Sequence, residues 1–343
     1  MYFALTEDQR EFASAVRGYL AERFDLDAVR GVVEEPSSDG HPTSLWKAAA
    51  EQGWLAVLVP EEHEGLGLGL VEAQVIAREL GAGVAPGPWR GTVLAAEAIR
   101  LAGSGEQRAE WLPRLAVGDA VGAVAARGTA PGTLPAVEYG AVATVVVARS
   151  GADGLVLVEP GATGPVGSYD GTTRLADVEA GAGEALPGAT ADVIAELTAR
   201  ATVLVAADLA GIAREALSRT VAYDRDRRQF GVPVGSFQAI KHALADLHVG
   251  VTMAEHAALH AAHALDAGLP DAPLAVSVAK AKASEAALQA TAAMIQYHGG
   301  IGYTWEHEAH FFYKRAKRLA GLYGDVQAHR ARIAELTIDL LPA

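Results

Sequence analysis

The stretch that decides the reading is QYHGGIGYTWEHEAHFFYKRAKRLAGLYGDVQAHR, residues 296–330. Gly299 and Gly300 stand together, Gly302 follows, and helical-looking sequence flanks them. A belt of aromatic and basic side chains comes next. Two explanations are open on these residues alone. Glycines at a helix end commonly form a C-terminal cap followed by a turn. Bare backbone also admits close approach by another group where a Cβ would obstruct it.

Upstream, a helical period holds from about residue 191. Leu209, Ile212, Ala213, Ala216, Leu217 and Thr220 fall on one face. Ile240, Ala243, Leu244, Leu247 and Val251 fall on another, and a third helix runs through Leu274, Val278, Ala281 and Leu288. Long alanine-rich helices joined by short loops such as GLPDAP (268–273) read as an antiparallel bundle. Between 119 and 190 the texture changes. AVATVVVAR (141–149) and GLVLVEP (154–160) are short valine-rich runs bounded by Gly and Pro, which predict strands and turns. Residues 1–118 read as helical again. Thr6 before EDQREF predicts an N-cap, and Phe12, Val16, Leu20 and Phe24 recur at a spacing of four. Gly65, Gly67 and Gly69 break the next helical stretch, before a helix carrying Val71, Val75 and Ile76. Pro113 and Gly118 punctuate the end of this part. The expected fold is mainly α with a small β domain, divided as 1–118, 119–190 and 191–343.

At 343 residues, half of them hydrophobic, the chain can bury a large core. No apolar run approaches the roughly 20 residues a membrane span needs, and the N-terminus lacks a secretory pattern. Cysteine is absent, so there is no disulfide frame, thiol nucleophile or thiolate metal site. A cytoplasmic location is the expectation. The net charge of −14 argues against nucleic acid, including at the basic-aromatic segment 304–318. His256, His260 and His263 share one helical face but have no carboxylate partner motif, so no metal is expected.

The order of these parts, with three local motifs, resembles the acyl-CoA dehydrogenase family of flavoenzymes. RDRRQFGVPVGSFQAIKHALADL (225–247) is similar to the family's R-x-x-F-G … F-Q … L-A-D pattern. The opening stretch resembles its Q-x-x-G-G-x-G-(Y/F)-T-x-E. GWLAVLVPEEHEGLGLGLVEAQVIARELG (53–81) is similar to its P-E-x-x-G-G-x-G segment. The match covers nearly the whole chain. It implies an N-terminal helical domain, a central β-barrel-like domain, here shortened, and a C-terminal four-helix bundle. It also implies FAD, with its adenosine and pyrophosphate held across a subunit interface. Arg227 takes the family's pyrophosphate position, where a guanidinium forms a bidentate, charge-assisted pair. Phe230 and Gln238 frame the adenosine half. Gln296, Gly299 and Gly300 approach from the neighbouring chain, and Gln327 stands where the family has a glutamine near the cofactor. Read without the resemblance, Arg225, Arg227 and Arg228 are a solvated helix end.

The resemblance also exposes what is missing. Removal of a proton α to a thioester needs a positioned carboxylate. The family's usual Glu, counted from Glu306, falls on Tyr323, whose phenol stays protonated at neutral pH. A second family position falls near Ala201, with Glu196 too far up the chain to replace it. Asp208 and Asp325 are nearby carboxylates; Asp325 sits where the family has a Thr facing phosphate. The β region has no tryptophan, and AARGTAPGTLP (125–135) is not the family's acidic flavin-ring loop. The expectation is therefore a short subunit of an α2β2 acyl-CoA dehydrogenase acting on an acyl-CoA thioester. A second, related chain supplies the base, and electron-transfer flavoprotein is the family's usual acceptor. The alternatives are a self-sufficient homo-oligomer using Asp325 or another carboxylate as base, and a flavin-less scaffold or thioester-binding protein.

Overall fold

The computed structural model describes residues 4–35 and 39–338. The chain begins with α1 (Glu7–Arg23), α2 (Leu26–Glu34), α3 (Thr43–Glu51), α4 (Leu70–Ala82), α5 (Trp89–Ala102) and α6 (Gly105–Ala116). Thr6 caps α1 as its sequence predicts. Its hydroxyl accepts from Gln9 N at 3.2 Å, and the Gln9 side chain accepts from Thr6 N at 3.0 Å. Pro113 differs from expectation, because it lies inside α6 rather than after it. A second capping box, Ser104 with Gln107, starts that helix, and buried Trp111, Leu112 and Leu115 anchor its last turn. Packing outweighs one lost backbone bond. The helix stops at Gly118, which takes φ +79°.

The chain folds as two compact units. One gathers the chain up to Asp27, Gln74–Ala85 and the chain from Thr202 on; the other holds Ala28–Ala73 and Pro86–Ala201. The second unit contains β1 (Gly122–Thr129), β2 (Gly132–Glu138), β3 (Val145–Ser150), β4 (Gly154–Val158), β5 (Thr163–Val166), β6 (Leu175–Ala180) and β7 (Glu184–Ala185). The two valine runs become β3 and β4, paired antiparallel with Val147 opposite Leu157. One sheet has the order β1-β3-β4-β7, with β1 and β3 parallel; the other is β2-β6-β5. Their shared core includes Ala123, Leu134, Val137, Val146, Val156, Val158 and Val178.

The first unit is helical. It contains most of α7 (Ala191–Asp226), a hairpin of β8 (Arg228–Gln229) and β9 (Val232–Pro233), α8 (Gln238–Asp266), α9 (Ala272–His298), α10 (Ala309–Gly321) and α11 (Val326–Thr337). Helices α8, α10 and α11 pack on α9. The α7 face from Leu209 to Thr220 is buried as its period predicts. The face expected on α8 is buried only from Val251 on. No residue between Gln238 and Gly250 is buried, because none of the described residues covers that half of the helix.

Helices α4 and α7 touch backbone to backbone. A Cβ on Gly211 would lie 1.9 Å from Arg78 O, and one on Gly81 would lie 2.2 Å from Asp208 O. Beside this crossing Glu79 binds Arg17, Arg78 and Arg214 at 3.0, 2.9 and 2.7 Å. Burial alone would raise its pKa, but hydrogen bonds from Arg214 and Arg17 bring it down to about 2. Gly211→Ala is expected to force the helices apart and cost about 3 kcal/mol or more. Its urea midpoint, compared with that of a Gly→Ala control such as Gly18→Ala, where a Cβ meets nothing within 4 Å, measures the effect.

Candidate functional site

The site residues cluster at two helix ends of the first unit. Helix α7 ends where Arg227 N donates to Tyr223 O at 2.8 Å, and Arg227 O then accepts from Val234 N at 2.8 Å. Between these bonds the chain makes the β8–β9 hairpin, with Gln229 opposite Val232. Its two turn residues, Phe230 and Gly231, have φ of +52° and +80°. A two-residue hairpin favours this left-handed pair, but an aromatic at its first position is strained. Phe230 is nonetheless 93% exposed, with only Phe237 edge-on at 6.2 Å. A strained aromatic held out in solvent contributes little to this chain's own packing. Arg225, Arg227 and Arg228 are exposed, and none forms an ion pair among the described residues. Gln238 is the exposed first residue of α8.

The second cluster follows α9. Gln296 is exposed in its last turn, and Gly299 reverses the chain at φ +66°. Gly302 is required by packing, since a Cβ there would lie 2.7 Å from Ile295 O. Gly300 has neither reason: its φ is ordinary, and a Cβ would meet nothing within 4 Å. Its bareness leaves room for something outside this chain. Tyr223 stacks on His298 with ring centroids 4.3 Å apart, and His307 lies against His298 at 4.5 Å. These rings join the roots of both clusters within one chain. His298 Nδ1 is 2.7 Å from Met294 O, and burial lowers the pKa of the ring. The open backbone, unpaired guanidinium groups and projecting aromatic fit the nucleotide end of a dinucleotide cofactor.

The carboxylate positions are occupied differently. Tyr323 lies half-buried in the α10–α11 turn at φ +56°, with His329 Nε2 3.1 Å from its carbonyl. Asp325 caps α11, its Oδ1 accepting from Ala328 N at 2.9 Å, and Gln327 is exposed in the first turn of that helix. Asp208 is buried against Arg315, at 3.1 Å from Nε and 2.8 Å from a terminal nitrogen. Arg315 also donates to Ala85 O at 2.9 Å. Asp208 is therefore half of a structural ion pair. Ala201 is buried, and Glu196 pairs with Arg200 at 3.0 Å. In the second unit β1 continues as exposed strand through Ala126, Arg127 and Gly128. A cavity of about 360 Å³ beside α6 is lined by Trp111, Glu110, Glu159 and Glu184, a charge set that repels anionic ligands. His260 lies 3.5 Å from Asp271.

The motifs did not single out Asp224. It is 1% exposed, and neither carboxylate oxygen has a partner. Burial pushes it up to about 6. Its spacing from Leu217 and Thr220 was the available signal, since it continues the buried face. An acid raised this way stabilises the fold below its ordinary range near 3.8, and that contribution is lost as pH rises through about 6. Asp224→Asn is expected to be more stable than wild type at pH 7.5, with the advantage vanishing toward pH 4. Paired urea titrations across that range measure it.

Residues 6–119 match the family model for the acyl-CoA dehydrogenase N-terminal domain, and residues 191–337 match that for the C-terminal domain. The chain is 35% identical over 320 residues to acyl-CoA dehydrogenase IpdE2 of Mycobacterium tuberculosis, covering 92% of this chain and 93% of that protein. Among solved structures, the ChsE4-ChsE5 complex from Mycobacterium tuberculosis aligns with a TM-score of 0.91 and 25% identity, over all of both chains. The Tcur3481-Tcur3483 steroid ACAD G363A variant aligns with a TM-score of 0.85 and 28% identity, over 97% of this chain and 98% of that one.

Proposed function

Because the chain belongs to the acyl-CoA dehydrogenase family, we propose that it is one subunit of a heteromeric enzyme. It holds the nucleotide end of FAD and takes the catalytic carboxylate from a second chain of the same family. The observation that carries this reading is the unequal state of the two half-sites. The nucleotide side offers unpaired Arg227, exposed Phe230 and open Gly300. The base positions offer only Tyr323 and buried Ala201.

FAD is the family's cofactor and, when bound, accepts the hydride from the β carbon of the acyl-CoA. The residues of this chain bind and orient. Arg227 carries the pyrophosphate charge through its planar fork. Phe230 and Gln238 flank the adenosine, Gln296 and the Gly299–Gly300 backbone close on the cofactor of a neighbouring chain, and Gln327 adds a polar contact. The α-proton would go to a carboxylate of the partner chain, and electron-transfer flavoprotein is the family's usual electron acceptor. Both multi-chain relatives support a heteromer, and so does the uncovered half of α8, where Val249 is exposed. The self-sufficient alternative takes Asp325 or another carboxylate as base, and Asp325 already serves as a helix cap. Among the described residues, no helix is long and apolar enough to cross a membrane.

The test is purification of the chain alone and co-expressed with acyl-CoA dehydrogenases encoded beside it, followed by flavin absorbance and bleaching by acyl-CoA. Flavin and bleaching only in the co-expressed complex are expected. Bleaching by the lone chain overturns the division of labour in favour of the homo-oligomer. No flavin in either preparation favours a scaffold.

A further inference from the structure

We infer that Lys280 is the positioning residue for the turn between α10 and α11: its buried ammonium clamps Gly321–Asp325, and loss of its proton loosens the turn and moves Tyr323. Lys280 lies on α9, is 0% exposed, and faces inward among the small buried side chains Ser277, Ala283, Ser284 and Ala287. Its Nζ donates to Ala320 O at 2.9 Å, Gly324 O at 2.8 Å and Ser284 Oγ at 3.3 Å. An ammonium has three donors, and all three are used. Ala320 is in the last turn of α10, where carbonyls lose their helical partners, so a cation there also complements the helix end.

The turn it holds is costly to form. Tyr323 and Gly324 take φ of +56° and +101° in succession, and for tyrosine that conformation persists only where its surroundings enforce it. Two further contacts grip the same five residues. His329 Nε2 approaches Tyr323 O at 3.1 Å, and Asp325 caps α11. The charged groups facing Lys280 both come from this corner: Asp325 favours the ammonium, while His329, depressed first by burial, is pushed down further by the Lys280 charge. Helix α10 presents only the Ala320 carbonyl. Burial outweighs Asp325 and draws Lys280 down to about 8. Above that pH the proton passes to solvent. The neutral amine has two donors for three acceptors and turns a lone pair toward one of them, so a carbonyl of the turn is left without a partner.

The clamp itself needs no assumption about catalysis. Its consequence for turnover rests on the proposed function, because Tyr323 occupies the position where the family's base stands. The experiment therefore reads the lone full-length chain, labelled with 13Cε-lysine and carrying 4-fluorophenylalanine, which has no phenol to titrate, at position 323. One of the six lysine signals is expected to titrate near pH 8, and the fluorine shift at 323 follows the same midpoint. K280M removes both transitions. K280R, which keeps its charge, holds the fluorine signal at its low-pH position across the same range. Overturning results are the absence of a lysine titrating near pH 8, a fluorine shift that does not follow it, or an unchanged fluorine titration in K280M. The wild-type measurement decides if neither variant folds. None of these readouts uses flavin or a partner, so failure here is distinct from failure in the co-expression test.

Discussion

Replacing Asp208 by asparagine lowers the unfolding free energy by roughly 3–5 kcal/mol, because it leaves the Arg315 guanidinium buried without its countercharge. The pair is nearly inaccessible, with side chains 3% and 7% exposed, and both oxygens of Asp208 are engaged. Arg315 has a further tie to Ala85 O, so the variant disturbs the start of the chain as well as the bundle. An exposed pair behaves differently: Lys47→Ala, which breaks the solvated Lys47–Glu51 contact at 3.7 Å, is expected to change stability by under about 1 kcal/mol. A double variant with leucine at 208 and methionine at 315 recovers part of the loss, since well-packed apolar groups tolerate the site where a lone charge does not. Urea denaturation of the three proteins at neutral pH measures the ordering. A wild-type midpoint in Asp208→Asn would remove the pair from the stability account.

Arg227→Ala is expected to weaken FAD retention roughly tenfold to a hundredfold, the loss of about 1.5–3 kcal/mol for hydrogen bonds to a charged group. Arg227 is exposed and outside the core, so the variant's urea midpoint stays near wild type. That separates a binding loss from a folding loss. Arg227→Lys keeps the charge without the planar fork and falls between the two. The measurement is flavin content of the co-expressed complex against a dilution series. Full occupancy in Arg227→Ala would end the pyrophosphate assignment.

The parts of the fold visible in the sequence are those set by local chemistry. Thr6 reads as a cap because its partner Gln9 is three residues away. Leu209 to Thr220 reads as a buried face because its spacing is helical, and the β3–β4 valines read as strand because they are branched and bounded by turn residues. Contacts between distant residues were hidden. Asp208 and Arg315 are 107 positions apart, and Glu79 meets Arg214 across 135. Lys280 is the clearest case, since a lysine on a helix ordinarily faces water, and its acceptors are carbonyls 40 and 44 residues downstream. The α8 stripe failed for the opposite reason. Its period is sound, but none of the described residues covers Gln238–Gly250. At the candidate site, motifs supplied Arg227, Phe230 and the glycines through family resemblance. Only coordinates distinguish Gly299, forced by its dihedral, and Gly302, forced by Ile295, from Gly300, which nothing in the chain requires.

The uncovered half of α8 makes this polypeptide's robustness a property of its concentration and company. Diluting the stoichiometric complex should lower its melting temperature, whereas the isolated subunit, with nothing bound, should melt lower but at the same temperature whatever its concentration, because any species that binds only the native form shifts the equilibrium by mass action. Organisms making such a protein therefore have a reason to synthesise both halves together, at matched levels.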